Sequence, residues 1–256
     1  MHGGALAADT YVFLHGLGAS HEQFDFVHKS APQSACLLMV DLPYHGENTA
    51  APEAGLSFDD FAELVLALCD HLNIKHARFV GVSMGGGLAL MCALRRPELV
   101  EHLVIIRPSW LASACPPHLA LIERCGAWLD QYDPAEALAQ LERDTAYQEL
   151  LQDVPLAAAS VQGVFLRPHA TAHAPVLGAM FNDCPFASLN ELRAVQVPAT
   201  VIGTHADSLH PVSIANATAN ALPNGTLKIL PPRYLRPKDH ANALADTIFD
   251  RTGAAA

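Results

Sequence analysis

Short, uninterrupted runs of apolar residues recur along this chain, and longer segments with helical character separate them. Runs such as LLMV (37–40) and LVII (103–106) contain no polar position. A strand with one face in water alternates polar and apolar residues, so an unbroken run suits a parallel sheet covered on both faces. Strands that alternate with helices favour the same arrangement. We therefore predict an α/β protein with a doubly wound, mainly parallel sheet. The runs assigned to strands are TYVFLHG (10–16), ACLLMVDLP (35–43), ARFVGVS (77–83), EHLVIIRP (101–108), ATVIGT (199–204) and TLKILPP (226–232).

The alternation of strand and helix stops in the middle of the chain. Residues 109–190 are rich in Ala and Leu and helix-like, and no clear strand interrupts them. We interpret this stretch as a helical cap, or lid, inserted into a core formed by residues 1–108 and 191–256. Ligands of such sheets bind beyond the carboxyl ends of the strands, so catalytic groups are expected there.

Composition excludes some classes of protein. Apolar residues make up 51% of the 256 positions and charged residues 16%, which predicts a folded core rather than disorder. The net charge of −11 repels phosphate backbones and anionic membranes, so we expect neither nucleic acid nor membrane as a partner. The six cysteines show no metal-ligand spacing, and the first ten residues lack signal-peptide features. These features favour a cytoplasmic protein that binds no metal ion. The sequence gives no indication of the oligomeric state.

A small-residue turn marks the candidate nucleophile. GVSMG (81–85) is a G-x-S-x-G motif that joins an apolar strand to a helical segment. The tight turn needs small residues beside the serine, and the following helix N-terminus favours developing negative charge. This context predicts Ser83 as a nucleophile exposed over the sheet.

Together with this motif, two further loops give the chain a resemblance to the α/β-hydrolase fold family. HGLGAS (15–20) resembles the family's oxyanion loop, and DLPYHGENT (41–49) resembles the loop after its fourth strand, with Tyr44 at the usual Gly position. The resemblance implies an oxyanion hole from the N–H groups of Leu17 and Met84. His15 and His45 belong to these loops and are expected to hold structural hydrogen bonds. The resemblance also places the cap after the sixth family strand, and it implies that the first two family strands are short or missing.

The resemblance implies a catalytic triad in the order Ser, acid, His. IGTHADSLHP (202–211) is similar to the family segment that carries the acid, which makes Asp207 the acid. The other acid position known in the family, after LVII, holds Arg107, Pro108 and Ser109 and no carboxylate.

Only two of the 14 histidines, His210 and His240, follow Asp207. His210 lies three residues from the acid at the start of a predicted helix, where it does not easily span from Asp207 to Ser83. His240 is expected in the loop before the last helix, which is the family's position for the base. We therefore predict the triad Ser83, Asp207 and His240, with no cofactor.

Several residues are candidates for contact with the substrate. Trp110, Trp128 and Tyr132 lie in the predicted cap and could line an apolar pocket. Arg107 ends a strand on the active-site side, and Arg233, Arg236 and Lys238 precede His240. These cations could bind a substrate carboxylate, although ion pairing with nearby Asp and Glu is the plainer interpretation.

The prediction is a cytoplasmic serine hydrolase, an esterase acting on a small or medium ester or lactone through an acyl-enzyme on Ser83. Carbon–carbon bond hydrolysis of diketones is an alternative. The same triad occurs in lyases, perhydrolases, acyltransferases and cofactor-free oxygenases, and in receptor-like members that only bind a ligand.

Overall fold

The computed structural model describes residues 9–50 and 55–250. In this part of the chain six strands form one sheet in the order β2-β1-β3-β4-β5-β6, and every neighbouring pair is parallel. The strands are β1 (Asp9–Leu14), β2 (Ala35–Val40), β3 (Ala77–Val82), β4 (Val100–Ile106), β5 (Ala199–Thr204) and β6 (Gly225–Leu230). The predicted α/β class and parallel sheet are confirmed. The expectation for the first two family strands concerns the stretch before β1, and residues 1–8 lie outside the described residues.

Nine α-helices and three 3-10 helices lie between or after the strands within the described residues. The α-helices are α1 (Phe58–His71), α2 (Met84–Arg95), α3 (Ala120–Gln131), α4 (Pro134–Leu141), α5 (Thr145–Asp153), α6 (Pro155–Leu166), α7 (Ala170–Phe181), α8 (Val212–Ala221) and α9 (Pro237–Phe249); the 3-10 helices are His21–Lys29, Pro117–Leu119 and Leu189–Ala194. None of the described helices is long and apolar enough to cross a membrane.

The two faces of the sheet pack into two separate apolar clusters, as a doubly wound sheet requires. Along β1, Val12 and Leu14 belong to the cluster that contains α1 and α2. Their neighbours Tyr11 and Phe13 belong to the other cluster, which contains α9 and the 3-10 helix His21–Lys29. Because side chains alternate across a strand, an unbroken apolar run supplies both clusters at once.

The chain between β4 and β5 contains α3 to α7, in agreement with the helix-like composition of residues 109–190. Helix α3 packs mainly against α7, and α5 packs against α6. The buried side chains of these helices continue the cluster that contains α1 and α2. The division into a core and a cap with those boundaries stays a prediction.

The last helix begins earlier than the sequence suggested. Helix α9 starts at Pro237, which occupies its first position, so His240 lies in the first turn of the helix and not in a preceding loop. Proline favours the first turn of a helix because its fixed φ suits that position and its missing N–H would have no partner there. The loop between β6 and α9 is therefore short.

Candidate active site

Ser83 lies at a sharp turn between β3 and α2. Its backbone is in a sterically unfavourable region with φ 54° and ψ −112°, where residues other than glycine rarely occur. The Ser83 N–H donates to the carbonyl of Ile106 at 2.9 Å, which ties the turn to the end of β4. The strained turn predicted from GVSMG is thus present, and it places Ser83 at the carboxyl end of the sheet.

The two glycines of the motif are required by close approaches of the backbone. A Cβ atom on Gly81 would collide with the main chain of Gly85, and one on Gly85 would collide with the carbonyl of Leu14. Neither obstacle is the flexible end of a side chain, so any larger residue would displace the turn or the strand beneath it.

The Ser83 hydroxyl takes part in a short chain of hydrogen bonds. Its Oγ donates to the Oγ of Ser109 at 3.1 Å, and the Ser109 hydroxyl donates to the carbonyl of Leu209 at 3.1 Å. Both serines are buried. In this arrangement the proton of Ser83 points to Ser109 and not to a histidine.

The loop after β1 lies against the nucleophile. Gly16 is so close that a Cβ atom there would lie 3.4 Å from the Ser83 Cβ, and its N–H donates to Gln23 Oε1 at 2.9 Å. Among the described residues, neither the Leu17 N–H nor the Met84 N–H has a hydrogen-bond acceptor. Both amides are therefore free to stabilise an oxyanion, and Leu17 and Ser83 line the same cavity.

His15 and His45 have structural partners. Nδ1 of His15 donates to the carbonyl of Gly16 at 2.9 Å, and its Nε2 accepts from the N–H of Leu42 at 3.1 Å, so the ring is neutral. Burial lowers the pKa of His15 to about 4. His45 donates from Nδ1 to the carbonyl of Pro43 at 2.9 Å, and burial lowers its pKa as well. His15 thus ties the loop after β1 to the loop after β2.

Asp207 follows β5 and is held by two partners. Its Oδ2 accepts from Arg107 Nη1 at 2.8 Å and its Oδ1 from His210 Nδ1 at 2.9 Å. The side chains of Arg107 and Asp207 are 3% and 0% exposed, so this is a buried ion pair. Arg107, which follows β4 at the second acid position known in the family, therefore pairs with the acid predicted after β5.

The protonation states follow from these contacts. Burial would raise the pKa of Asp207, but His210 and Arg107 outweigh it and hold that pKa well below its usual range. Burial lowers the pKa of His210, and Arg107 lowers it further against the pull of Asp207. Near neutral pH we therefore assign a carboxylate at Asp207 and a neutral His210 with its proton on Nδ1, which leaves Nε2 able to accept a proton.

His240 has a different environment from the one predicted. Its Nδ1 donates to the carbonyl of Pro231 at 2.8 Å, and no hydrogen bond joins it to Asp207 or Ser83 within the described residues. Burial lowers its pKa. The structure therefore brings Asp207 together with His210, not with His240.

Two neighbouring cavities lie at the carboxyl end of β3, and Ser83 lines only the first of them. The first, of about 70 Å³, has Ser83, His210 and Arg233 in its wall. The second, of about 480 Å³, is lined in part by His240. Arg107, Arg233 and Tyr234 belong to both walls, so the cavities are neighbours.

The other substrate-contact candidates fall into two groups. Trp110 lines the first cavity and packs edge-on against Phe58 with ring centroids 5.4 Å apart, whereas Trp128 and Tyr132 line neither cavity. Arg236 is exposed and pairs with Asp239 at 2.8 Å. Lys238 is exposed too, and it is absent from both walls.

Comparison with known proteins identifies the family of this chain. The chain belongs to the α/β-hydrolase fold family, whose sequence pattern it matches over residues 10–167. Within the described residues no group of three or more His, Cys, Asp or Glu side chains is placed to hold a metal ion.

Individual relatives differ in what they do. The chain is 29% identical over 243 residues to a putative carbamate hydrolase, RutD, of Pseudomonas syringae, and the match covers 87% of this chain and 85% of that protein. It is 37% identical over 103 residues to the dihydrolipoyllysine-residue acetyltransferase component of the acetoin cleaving system of Pseudomonas putida, which covers 40% of this chain and only 28% of that relative's length. The enol-lactonase structure from Burkholderia xenovorans superimposes with a TM-score of 0.70 at 22% identity, covering 95% of this chain and 90% of that one; this likeness shows the fold.

Sequence reasoning underestimated three residues of the site. His210 was set aside because of its short distance from Asp207 in the chain, but a neighbouring histidine can turn back to its acid at a loop end. Ser109 was noted only as a residue that is not a carboxylate. Arg167 gave no local signal, and only the fold places it in the wall of the Ser83 cavity.

Proposed function

We propose that the protein is a serine hydrolase that cleaves a small or medium carboxylic ester or lactone through an acyl-enzyme on Ser83. The observation that carries this proposal is the strained backbone of Ser83 at the N-terminus of α2, beside a cavity and two free N–H groups. A nucleophile so placed attacks a carbonyl whose developing charge falls between the amides of Leu17 and Met84.

Two histidines, His210 and His240, are candidates for the general base of this reaction. His210 is supported by its hydrogen bond to Asp207 and by its place in the wall of the Ser83 cavity. His240 is supported by its order in the chain, which matches the family. We favour His210, because a carboxylate that accepts from Nδ1 fixes the ring and stabilises the imidazolium formed during catalysis.

The reaction then proceeds in two balanced steps. The base takes the proton of Ser83 as Oγ attacks the acyl carbon, and the carbonyl electron pair moves onto the oxygen held by the two amides. Collapse of this intermediate expels the alcohol, which takes the proton from the base. Water, deprotonated by the same base, then attacks the acyl carbon; the acyl-Ser83 bond breaks, Ser83 Oγ takes the proton back from the base, and the acid is released.

Attack requires the Ser83 hydroxyl to leave its present acceptor. The proton now directed at Ser109 must turn to a histidine Nε2, and we expect a rotation of the Ser83 side chain to redirect it. A bound acyl group at the free amides would place the carbonyl carbon next to Oγ.

The first experiment measures turnover of 4-nitrophenyl esters, lactones and a diketone by the wild type and by Ser83→Ala. We expect ester or lactone hydrolysis by the wild type, loss of at least about 1000-fold in kcat for the variant, and covalent labelling of Ser83 by a fluorophosphonate. Ser160→Ala, which removes another serine from the wall of the same cavity, controls for the labelled position. Absence of both turnover and labelling in a folded wild type would refute the proposal.

The second experiment decides the base. His210→Asn and His240→Asn are compared by kcat and by the rate of fluorophosphonate labelling, and the loss of the true base should lower kcat by roughly 100- to 10,000-fold. We expect the larger loss in His210→Asn. If His240→Asn alone abolished turnover while His210→Asn retained it, the assignment from chain order would be correct.

A further inference from the structure

The walls of the two cavities carry positive charge with no acidic residue among them. Arg107, Arg167 and Arg233 line the first cavity, and Arg107 and Arg233 line the second, whereas neither wall includes an Asp or a Glu. This contrasts with the whole chain, whose net charge is −11. A cationic cavity in an acidic protein attracts an anion to one place.

Two of these charges lack a carboxylate partner. Arg107 is neutralised by Asp207. Within the described residues Arg167 and Arg233 have no carboxylate oxygen within 4 Å, and no hydrogen bond from either guanidinium is present. Arg233 stacks on the ring of Tyr234 at 5.2 Å, and Glu22 acts on Arg167 only from beyond ion-pair distance.

Both guanidinium groups are partly withdrawn from water, so the absence of a carboxylate partner is unfavourable in free energy. The charge of Arg107 and burial lower the pKa of Arg233 to about 10, and burial lowers that of Arg167. Charged groups that are partly buried without a partner are uncommon in structural roles and frequent where a ligand supplies the counter-charge.

The two arginines come from different parts of the chain and meet at one cavity. Arg233 lies between β6 and α9, and Arg167 follows α6 in the segment between β4 and β5. Because Ser83 lines the same cavity, an anion held by these groups would be part of the molecule that Ser83 attacks.

We propose that the substrate carries a carboxylate, held by Arg233 and Arg167, next to the ester or lactone bond that Ser83 cleaves. This proposal rests on the proposed hydrolase function and names its substrate class. Guanidinium groups bind carboxylates through paired hydrogen bonds, and both of these arginines line the cavity that contains Ser83.

The test compares two substrates of matched shape. 4-Nitrophenyl adipate carries a free carboxylate, and 4-nitrophenyl methyl adipate is its neutral ester. We expect the wild type to prefer the anionic substrate by about 10-fold or more in kcat/KM, mainly through KM. Arg233→Met and Arg167→Met should each bring this ratio down by about 10-fold.

Arg236→Met is the matched control, because Arg236 is exposed and paired with Asp239 outside both walls. We expect the wild-type ratio in this variant. A wild-type ratio near one, or a ratio unchanged in both Arg233→Met and Arg167→Met, would overturn the proposal.

A binding measurement separates this inference from the proposed function. Adipate binding to Ser83→Ala is measured by calorimetry, and Arg233→Met in the same background should weaken it by about 10-fold or more. Adipate binding that depends on Arg233, in a protein that neither turns over esters or lactones nor is labelled by a fluorophosphonate, would support the anion site and refute the hydrolase. Ester turnover without adipate binding would support the hydrolase and refute the anion site. Tighter binding of a phosphate monoester than of adipate would overturn the assignment of a carboxylate.

Discussion

Removal of Arg107 should destabilise the protein strongly, because Asp207 would lose its buried counter-charge. Arg107 Nη1 lies 2.8 Å from Asp207 Oδ2, and the two side chains are 3% and 0% exposed. Breaking a pair buried to this degree costs about 3–5 kcal/mol of unfolding free energy. For a chain of this size that corresponds to a fall in Tm of roughly 6–20 °C. Arg107→Met is the chosen change, since it keeps an unbranched stem of similar length.

Urea unfolding at pH 7.5, followed by circular dichroism, measures this loss. A double-mutant cycle with Asp207→Asn isolates the interaction, and the coupling should be about 2 kcal/mol or more. Because a buried pair is poorly screened, 0.5 M NaCl should leave the coupling largely intact. Arg236→Met, which breaks an exposed pair, is expected to unfold as the wild type does.

The same variant has a second consequence that a purely structural role would not produce. Arg107 lowers the pKa of His210, so its removal should raise that pKa. If His210 is the base, the acid limb of the kcat/KM profile moves to higher pH in Arg107→Met. A loss of less than about 1 kcal/mol, with coupling near zero, would refute the reasoning on the buried pair.

Three further predictions concern other parts of the molecule. His15 is neutral in the fold with a pKa of about 4 against 6.5 unfolded, so stability should fall by about 3 kcal/mol as the pH drops from 6.5 to 4, and His15→Asn should flatten that dependence in urea titrations. Gly85→Ala should abolish folding seen by circular dichroism, because its Cβ meets the Leu14 carbonyl, whereas Gly178→Ala, with open space inside a helix, should gain about 0.5–1 kcal/mol. Cys115, the one exposed cysteine among the six, should react first with a thiol reagent, and Cys115→Ser should remove that fast phase.

The sheet could be predicted from the sequence because strand burial leaves a direct mark on residue type. Unbroken apolar runs such as LVII (103–106) fill two clusters at once, and only a parallel, doubly covered sheet uses them fully. The strained turn at Ser83 could be predicted equally well, because its glycines are required by contacts within a few residues and with one neighbouring strand. The local sequence is sufficient to predict a structural feature where the contacts that determine this feature are local.

The histidine pairing could not be predicted in this way, because it depends on how a loop folds back. His210 and Asp207 are three positions apart in a turn, and their 2.9 Å contact follows from the conformation of that turn rather than from spacing. His240 was placed in a loop because the helix was expected to begin after it. The helix instead begins several residues earlier, at Pro237.

The positive charge of the cavity could not be predicted from the sequence for a related reason. An acidic composition predicts an acidic average surface, but Arg107, Arg167 and Arg233 come from three distant segments and meet only through the fold. Of the four cations singled out in the sequence, Arg107 serves Asp207, Arg236 and Lys238 are exposed, and Arg233 lines the cavity. An ion pair removes a cation from substrate recognition, so the two arginines without a carboxylate partner in the Ser83 cavity are the ones that we propose to distinguish an anionic substrate from a neutral one.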